Sequence, residues 1–212
     1  MTATTWIKIC GITSVEDALL AVELGADALG LNFVPSSKRV LSRATAAHIA
    51  ESLEGRVELV AVVADLDEGA LQELREDTGI QWLQLHGSES PQALSALLPD
   101  AFKAAAIGSA DDAARAAEYP GERLLVDAKS PGQLGGTGHR FDWSLVAALA
   151  RQRQLIVAGG LTPDNVADAV RALHPFGVDV ASGVEAPGNA RQKDAAKLRA
   201  FIEAVRAADQ AS

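Results

Sequence analysis

Two residues that could exchange protons with a substrate each end a short, strand-like apolar run. Cys10, the only cysteine among 212 residues, follows the run 6–9 and stands directly before Gly11. Asp127 ends the run 124–127 in the same way. If both runs are parallel strands of one sheet, the thiol and the carboxylate project from the same edge. Such a pair predicts acid–base chemistry that needs neither a metal ion nor another cofactor.

Each of the two residues also has a structural interpretation. A lone cysteine is often a small buried hydrophobe, and an aspartate at a strand end can accept hydrogen bonds from loop amides. Burying a carboxylate at the end of an apolar strand is costly, however, which favours a functional role for Asp127. Lys8 is not expected to assist Cys10, because we take the two side chains to point to opposite faces of the strand.

Strand-like and helix-like segments alternate along the chain. Eight apolar runs have the near-continuous apolarity of strands buried on both faces, and each precedes a turn and a helix-like stretch. The alternation predicts an α/β protein with one (β/α)8 TIM-barrel domain over 1–212, near the lower size limit of that fold. A doubly wound sheet would show fewer repeats and a glycine fingerprint after the first strand. The eight runs are 6–9, 28–33, 57–63, 82–86, 102–107, 124–127, 155–158 and 178–181.

Specific residues mark the ends of several predicted helices. Gly25 and Gly79 stand where two amphipathic segments should end, since glycine adopts the left-handed conformation common there. Thr162 followed by Pro163 predicts a helix that begins at the proline and has the threonine as its N-cap.

Composition and charge argue against several classes of protein. The net charge of −9 disfavours a nucleic-acid partner, which requires a basic face. No apolar stretch reaches the roughly 18 residues that cross a membrane, and no secretory signal pattern begins the chain, so we expect a cytoplasmic protein without a membrane partner. A single cysteine excludes an internal disulfide and a multi-cysteine zinc site. Composition favours neither a monomer nor a homodimer.

A long, polar, glycine-rich loop, 130–138, follows Asp127. Barrel enzymes carry their active sites on the loops that follow the strands. This loop is therefore either a lid, a segment whose backbone approaches a ligand, or a plain surface loop.

Two further loops predict one phosphate site. They follow the seventh and eighth apolar runs, carry small residues, and lie close to expected helix N-termini. Backbone amides and helix dipoles would supply the positive potential that the overall charge lacks. The residues in question are Gly159, Gly160, Ser182 and Gly183.

Two more polar residues lie at the same predicted edge. Arg39, in the turn after the second apolar run, could hold a carboxylate in bidentate geometry or could be a solvated surface charge. His86 ends the fourth run and could bind a substrate or satisfy a loop carbonyl.

Taken in order, these segments resemble the phosphoribosylanthranilate isomerase family of tryptophan biosynthesis. The matching segments begin at 8–12 and end at 182–185, so the similarity covers nearly the whole chain. One departure is Ala181, where the family commonly has serine, and a hydroxyl contact at this position is therefore not available. The intervening matches are 25–30, 37–39, 84–87, 135–138, 141–143 and 158–163.

The resemblance implies a substrate, a reaction and a set of site residues. The reaction is an Amadori rearrangement of N-(5-phosphoribosyl)anthranilate to 1-(2-carboxyphenylamino)-1-deoxyribulose 5-phosphate. Asp127 would be the general acid that opens the ribose ring, and Cys10 the general base that removes the C2 proton. These roles require a raised carboxyl pKa and a lowered thiol pKa. The resemblance assigns substrate binding to Arg39, His86, Gly136 and Asp179, and phosphate binding to Gly159, Gly160, Ser182 and Gly183.

Three alternatives remain open at this point. A barrel isomerase of the histidine pathway runs the same rearrangement but typically uses two aspartates. Its substrate carries two phosphates, and no second glycine-rich phosphate site is evident in the N-terminal half. A flavin-binding barrel would use the predicted phosphate site for FMN. A non-catalytic phosphate-binding relative would have no need of Cys10 and Asp127.

Overall fold

The computed structural model describes residues 4–128 and 142–211. Eight parallel strands form a closed barrel in sequential order, with the eighth paired back to the first. The predicted (β/α)8 barrel is thereby confirmed. The strands are β1 (Trp6–Cys10), β2 (Ala28–Asn32), β3 (Glu58–Val63), β4 (Trp82–Leu85), β5 (Ala101–Ile107), β6 (Arg123–Ala128), β7 (Gln154–Val157) and β8 (Gly177–Val180).

Helices follow the strands and cover the outside of the barrel. Short 3-10 helices lie at Trp143–Val146 and Ser182–Val184. Within the part of the chain that the structure describes, no helix is both long and apolar enough to cross a membrane. The α-helices are α1 (Val15–Glu23), α2 (Arg43–Leu53), α3 (Glu68–Thr78), α4 (Pro91–Leu97), α5 (Ala110–Ala117), α6 (Ala147–Gln152), α7 (Val166–Leu173) and α8 (Ala195–Gln210).

Between β8 and α8 the chain forms an antiparallel hairpin that the alternating pattern did not predict. Its strands are β9 (Glu185–Ala186) and β10 (Asn189–Lys193). The hairpin is short and mostly polar, so it lacks the apolar signal by which the barrel strands are recognised.

Local chemistry explains most helix ends. Ser14 is the N-cap of α1 and accepts a hydrogen bond from the amide of Asp17, and Gly79, with a φ of +71°, is the C-cap after the last residue of α3. Gly25 follows α1 with a φ of +100°, as expected for a glycine at a helix end.

The predicted start of α7 was wrong. The helix begins at Val166 and not at Pro163. The side chain of Asn165 accepts a hydrogen bond from the amide of Thr162 at 2.9 Å and donates one to the carbonyl oxygen of Gly160 at 2.8 Å. These bonds hold residues 163–165 in a turn, so the threonine–proline pair begins the turn and not the helix.

Side chains of the barrel strands alternate between two apolar layers. Ile7 and Ile9 are fully buried in the layer between the strands and the helices. Burying an isoleucine contributes about 1.5–3 kcal/mol, so this layer is the main stabilising core. Phe102 and Ile156 belong to the second layer, inside the barrel. Cys10 lies in a third, small cluster, apart from the layer that contains its neighbour Ile9.

The N-terminal end of the barrel is filled by aromatic rings around Arg123. Its guanidinium lies 4.0 Å from the ring centroid of Trp82 and 5.3 Å from that of Trp6. A third ring, of Phe176, is 5.5 Å away, and Glu58 accepts a hydrogen bond from the guanidinium at 2.7 Å. These contacts close this end of the barrel and leave the C-terminal end for a site.

Candidate active site

A cavity of about 590 Å³ lies at the C-terminal end of the barrel. Cys10 is the last residue of β1, Asp127 is the penultimate residue of β6, and both line the cavity. The thiol and the carboxylate therefore face one space, as the sequence predicted. The predicted site residues that line this space are Cys10, Arg39, His86, Asp127, Asp179 and Ser182.

Lys8 lies beside Cys10, and the expectation that it would not was wrong. A Cβ atom on Gly30 would lie 2.8 Å from Cys10 Sγ and 2.9 Å from Lys8 Nζ, so both polar atoms occupy the space that this glycine leaves free. Residues two apart in a strand point to the same face, which is the reason for the contact. Lys8 is fully buried and donates a hydrogen bond to Asp179 Oδ1 at 2.7 Å.

Burial raises the pKa of the Cys10 thiol, so the lowered thiol pKa expected from the sequence is wrong. Loss of solvation disfavours the thiolate most strongly, and the charge of Asp179 adds to this effect. The charges of Lys8 and Lys193 oppose it, and Lys193 Nζ also donates a hydrogen bond to the carbonyl oxygen of Cys10 at 2.7 Å. Two buried cations thus favour a thiolate that burial disfavours.

Burial raises the pKa of the Asp127 carboxyl to about 6, which confirms the expected direction. Loss of solvation is the main cause, the charge of Asp179 adds to it, and the backbone amide of Ala128 and the charge of Lys8 oppose it. Among the described residues, Asp127 Oδ1 has no hydrogen-bond partner. A carboxyl with this pKa retains a protonated fraction of about one tenth at neutral pH, as a general acid requires.

Arg39 lies at the rim of the cavity in a contact that the sequence analysis did not predict. Its Nε and Nη2 atoms donate to the two carboxylate oxygens of Glu185 at 2.5 Å and 3.1 Å. Gly11 makes room for this side chain, because a Cβ atom there would overlap the Arg39 stem. A guanidinium has five N–H donors, so this pairing leaves donors for a substrate carboxylate.

His86 follows β4 and lines the cavity, where burial favours its neutral form. Its backbone amide donates to the carbonyl oxygen of Val63 at 2.7 Å, which fixes the residue at the strand end. Burial lowers the pKa of the imidazole, and the positive charge of Lys103 lowers it further. Its Nδ1 lies 3.4 Å from Nε2 of Gln84.

The predicted phosphate residues lie in two adjoining loops. Ser182 lines the cavity, and Gly159 and Gly160 turn the chain after β7 with φ angles of +82° and +66°. A Cβ atom on Gly183 would overlap the carbonyl oxygen of Leu161, so the loops after β7 and β8 touch at this glycine. The two glycine-containing loops therefore form one surface.

Sequence reasoning missed several residues that surround Cys10. A signal for Lys8 was present, because two-residue spacing in a strand places side chains on one face. Lys193 had no such signal, since it lies on the unpredicted hairpin, and Glu185 was marked only as the last residue of the matching segment 182–185. Gly136 and the loop 130–138 lie outside the described residues. Within 4–128 and 142–211, no group of three or more His, Cys, Asp or Glu side chains could hold a metal ion.

The family model and the relatives that match this chain carry the same description. The family model described as N-(5'phosphoribosyl)anthranilate (PRA) isomerase matches residues 7–204. The N-(5'-phosphoribosyl)anthranilate isomerase of Desulforudis audaxviator is 44% identical over 206 residues, which are 96% of this chain and 99% of that protein.

Solved structures of the same kind superimpose on nearly the whole chain. Monomers of the dimeric phosphoribosylanthranilate isomerase from Thermotoga maritima match with a TM-score of 0.84 and 33% identity, over 96% of this chain and 100% of that one. A phosphoribosyl anthranilate isomerase in complex with reduced 1-(o-carboxyphenylamino)-1-deoxyribulose 5-phosphate matches with a TM-score of 0.85 and 32% identity, with the same coverage of both chains.

Proposed function

Because this chain belongs to the N-(5'-phosphoribosyl)anthranilate isomerase family, we propose that Asp127 and Cys10 are the acid and the base of its reaction. The protein is an isomerase of tryptophan biosynthesis, and the reaction is the Amadori rearrangement of N-(5'-phosphoribosyl)anthranilate. The observation that carries the two assignments is that both side chains line one cavity while Asp127 has a pKa of about 6.

Asp127 performs the first step as the general acid. Its protonated carboxyl gives a proton to the ribose ring oxygen, the bond from this oxygen to C1 breaks, and the nitrogen lone pair forms the C1–N double bond of a Schiff base. Asp127 is left as a carboxylate. The raised pKa supports this role, because an ordinary exposed aspartate holds far less of its population as the acid at neutral pH.

Cys10 performs the second step as the general base. Its thiolate takes the proton from C2, the electrons of the broken C–H bond form the C1–C2 double bond, and the Schiff-base electrons return to nitrogen. The resulting enolamine then tautomerises to the ketone. Lys8 supports this role, because its buried ammonium is next to the sulfur and favours the thiolate.

The two groups act as a coupled pair. The active form needs a proton on Asp127 and none on Cys10, although the thiol has the higher pKa. This form is a minor tautomer of the singly protonated pair. Lys8 enlarges the minor population by stabilising the negative charge on sulfur.

The two ends of the substrate bind to different groups at the C-terminal end of the barrel. Arg39 pairs with the anthranilate carboxylate through guanidinium donors that its contact with Glu185 leaves available. His86 and Asp179 bind the parts between, and Gly136 is assigned by resemblance alone. The phosphate binds to backbone amides of the adjoining loops that contain Gly159, Gly160, Ser182 and Gly183.

A fluorescence assay that follows loss of phosphoribosylanthranilate tests the assignments. Wild type should turn over the substrate, and Cys10→Ser should lose most of this activity, since a hydroxyl is nearly isosteric but much harder to deprotonate. Cys10→Asp should restore part of it, because a carboxylate can also accept the proton. Near-normal turnover by Cys10→Ser would leave this residue a packing role only.

Separate binding measurements test the two ends. Inorganic phosphate should inhibit competitively. Gly160→Val should raise the KM for phosphoribosylanthranilate and weaken the inhibition by phosphate. Arg39→Ala should weaken binding of anthranilate more than binding of inorganic phosphate. Equal losses for the two ligands would contradict the assignment of Arg39 to the carboxylate.

Assembly and location complete the proposal. We expect a monomer or a homodimer without nucleic-acid or membrane partners, in the cytoplasm, where a single unpaired cysteine stays reduced. The Thermotoga maritima relative is described as dimeric. Light scattering during size-exclusion chromatography measures the mass in solution and would contradict this expectation if it exceeded that of two chains.

A further inference from the structure

Gln84 has an unpaired polar atom in the wall of the cavity. The residue lies in β4, lines the cavity, and is only 2% exposed. Its Oε1 is buried and has no hydrogen-bond partner among the described residues. An unsatisfied buried carbonyl oxygen is costly and rare in folded proteins, so a group that pairs with it is expected to arrive from outside the chain.

The other end of the Gln84 amide faces His86. Nε2 of Gln84 lies 3.4 Å from Nδ1 of the imidazole, and the two side chains share one face of the strand because they are two residues apart. Burial lowers the pKa of the imidazole and so favours its neutral form, in which only one nitrogen carries a hydrogen. With Nδ1 as the acceptor from Gln84, the hydrogen is on Nε2, and the amide oxygen of Gln84 is the atom left for a ligand.

The chemistry of an amide oxygen restricts what it can bind. It accepts hydrogen bonds and donates none. A phosphate and a carboxylate at neutral pH also act chiefly as acceptors, so neither anionic end of the substrate is a partner for Gln84 Oε1. The donors between the two ends are the sugar hydroxyl groups and the amine N–H, and the anthranilate probe carries an amino group without the sugar.

We propose that Gln84 binds the sugar part of the substrate, with its Oε1 accepting a hydrogen bond from a hydroxyl group. This inference rests on the proposed function, because it takes the substrate from there. It adds a residue between the two charged ends and places it on the strand that also carries His86. Gln84 fixes the sugar and, through its Nε2, the hydrogen position of the imidazole.

Loss of the Gln84 amide should leave the stability of the free protein intact and weaken the binding of a ligand that contains the sugar. Gln84→Met keeps a similar length but removes the unpaired oxygen, so the melting temperature of the free protein should not fall. Affinity for reduced 1-(o-carboxyphenylamino)-1-deoxyribulose 5-phosphate, which contains sugar hydroxyls, should fall about tenfold. A residue with a merely structural role would show the reverse pattern.

Isothermal titration with three probes tests the proposal. The probes are the reduced product analogue, inorganic phosphate and anthranilate, measured on wild type, Gln84→Met and Gln84→Leu. Only affinity for the analogue should fall in the variants, because phosphate and anthranilate lack sugar hydroxyls. Gln154→Met is the matched control. Gln154 is the first residue of β7, so it lies at the end of the barrel away from the cavity, and its side chain donates a hydrogen bond to Glu122.

The outcomes distinguish a wrong role for Gln84 from a wrong proposed function. Unchanged affinity for the analogue in both variants, with an active wild type, would overturn the assignment of Gln84 and leave the proposed function intact. Equal weakening of all three probes, or a large fall in melting temperature in both variants, would also overturn it. A wild type that neither turns over phosphoribosylanthranilate nor binds the analogue would overturn both proposals.

Discussion

Replacing Asp127 by asparagine should stabilise the protein while removing most of its catalysis. In the fold, burial raises the pKa of this carboxyl from its ordinary value of 3.8 to about 6. A difference of this size corresponds to about 3 kcal/mol of folding free energy between the protonated and the ionised forms. Burial therefore destabilises the carboxylate that Asp127 becomes when it donates its proton in the reaction.

The sign of the pH dependence follows from proton binding. The folded state holds the proton more tightly, so the contribution is fully present below about pH 3.8 and is lost as the pH rises through about 6. Asparagine stays neutral throughout. The free energy of unfolding of Asp127→Asn relative to wild type should therefore be about 1.4 kcal/mol higher at about pH 8 than at about pH 5.

Urea unfolding at both pH values measures this difference, and steady-state kinetics measures the other consequence. The kcat of Asp127→Asn should fall by about 10²–10⁴-fold, because the amide cannot donate the required proton. Asp111→Asn is the control, since Asp111 is exposed in the first turn of α5. A relative stability that is the same at both pH values would refute the buried-carboxyl reasoning, and turnover within a few-fold of wild type would refute the role as acid.

Four further outcomes are expected. Lys8→Met should raise the pKa of Cys10, so alkylation by iodoacetamide at about pH 8 should slow at least about tenfold; an unchanged pH profile would show that the ammonium does not act on the thiol. Wild-type kcat/KM should fall about tenfold per pH unit below about pH 6, where both members of the catalytic pair are protonated, and a flat profile would contradict the shared-proton form. Gly183→Ala should weaken inorganic phosphate binding about tenfold by calorimetry, because its Cβ would separate the loops at Leu161; unchanged binding would exclude this loop contact. Arg123→Met should lower the free energy of unfolding by about 1–3 kcal/mol in urea with kcat unchanged, and a change in kcat would show that the two ends of the barrel are coupled.

The sequence predicts the strands that form this site better than it predicts which charged side chains surround Cys10. The barrel and the strand-end positions of Cys10 and Asp127 follow from short apolar runs, whose period reports burial directly. The start of α7 does not follow, because the hydrogen bonds of Asn165 override the threonine–proline signal. Glu185 and Lys193 reach the site on a polar hairpin that no periodicity marks. The ion pairs of buried charged residues join positions far apart in the chain. The local sequence around each residue therefore carries no signal that identifies its partner.

These charges explain how a protein with a net charge of −9 can hold an anionic substrate. Around Cys10 lie three cations and two carboxylates, joined by the Lys8–Asp179, Arg39–Glu185 and Lys193–Glu185 contacts. While the thiol and the Asp127 carboxyl are both protonated, the cavity has an excess positive charge, which attracts phosphate and carboxylate groups. Ionisation of Cys10 supplies the third negative charge. The Cys10 thiolate therefore forms at a position where its negative charge balances the neighbouring cations. This balance offsets part of the free-energy cost that burial imposes on the thiolate.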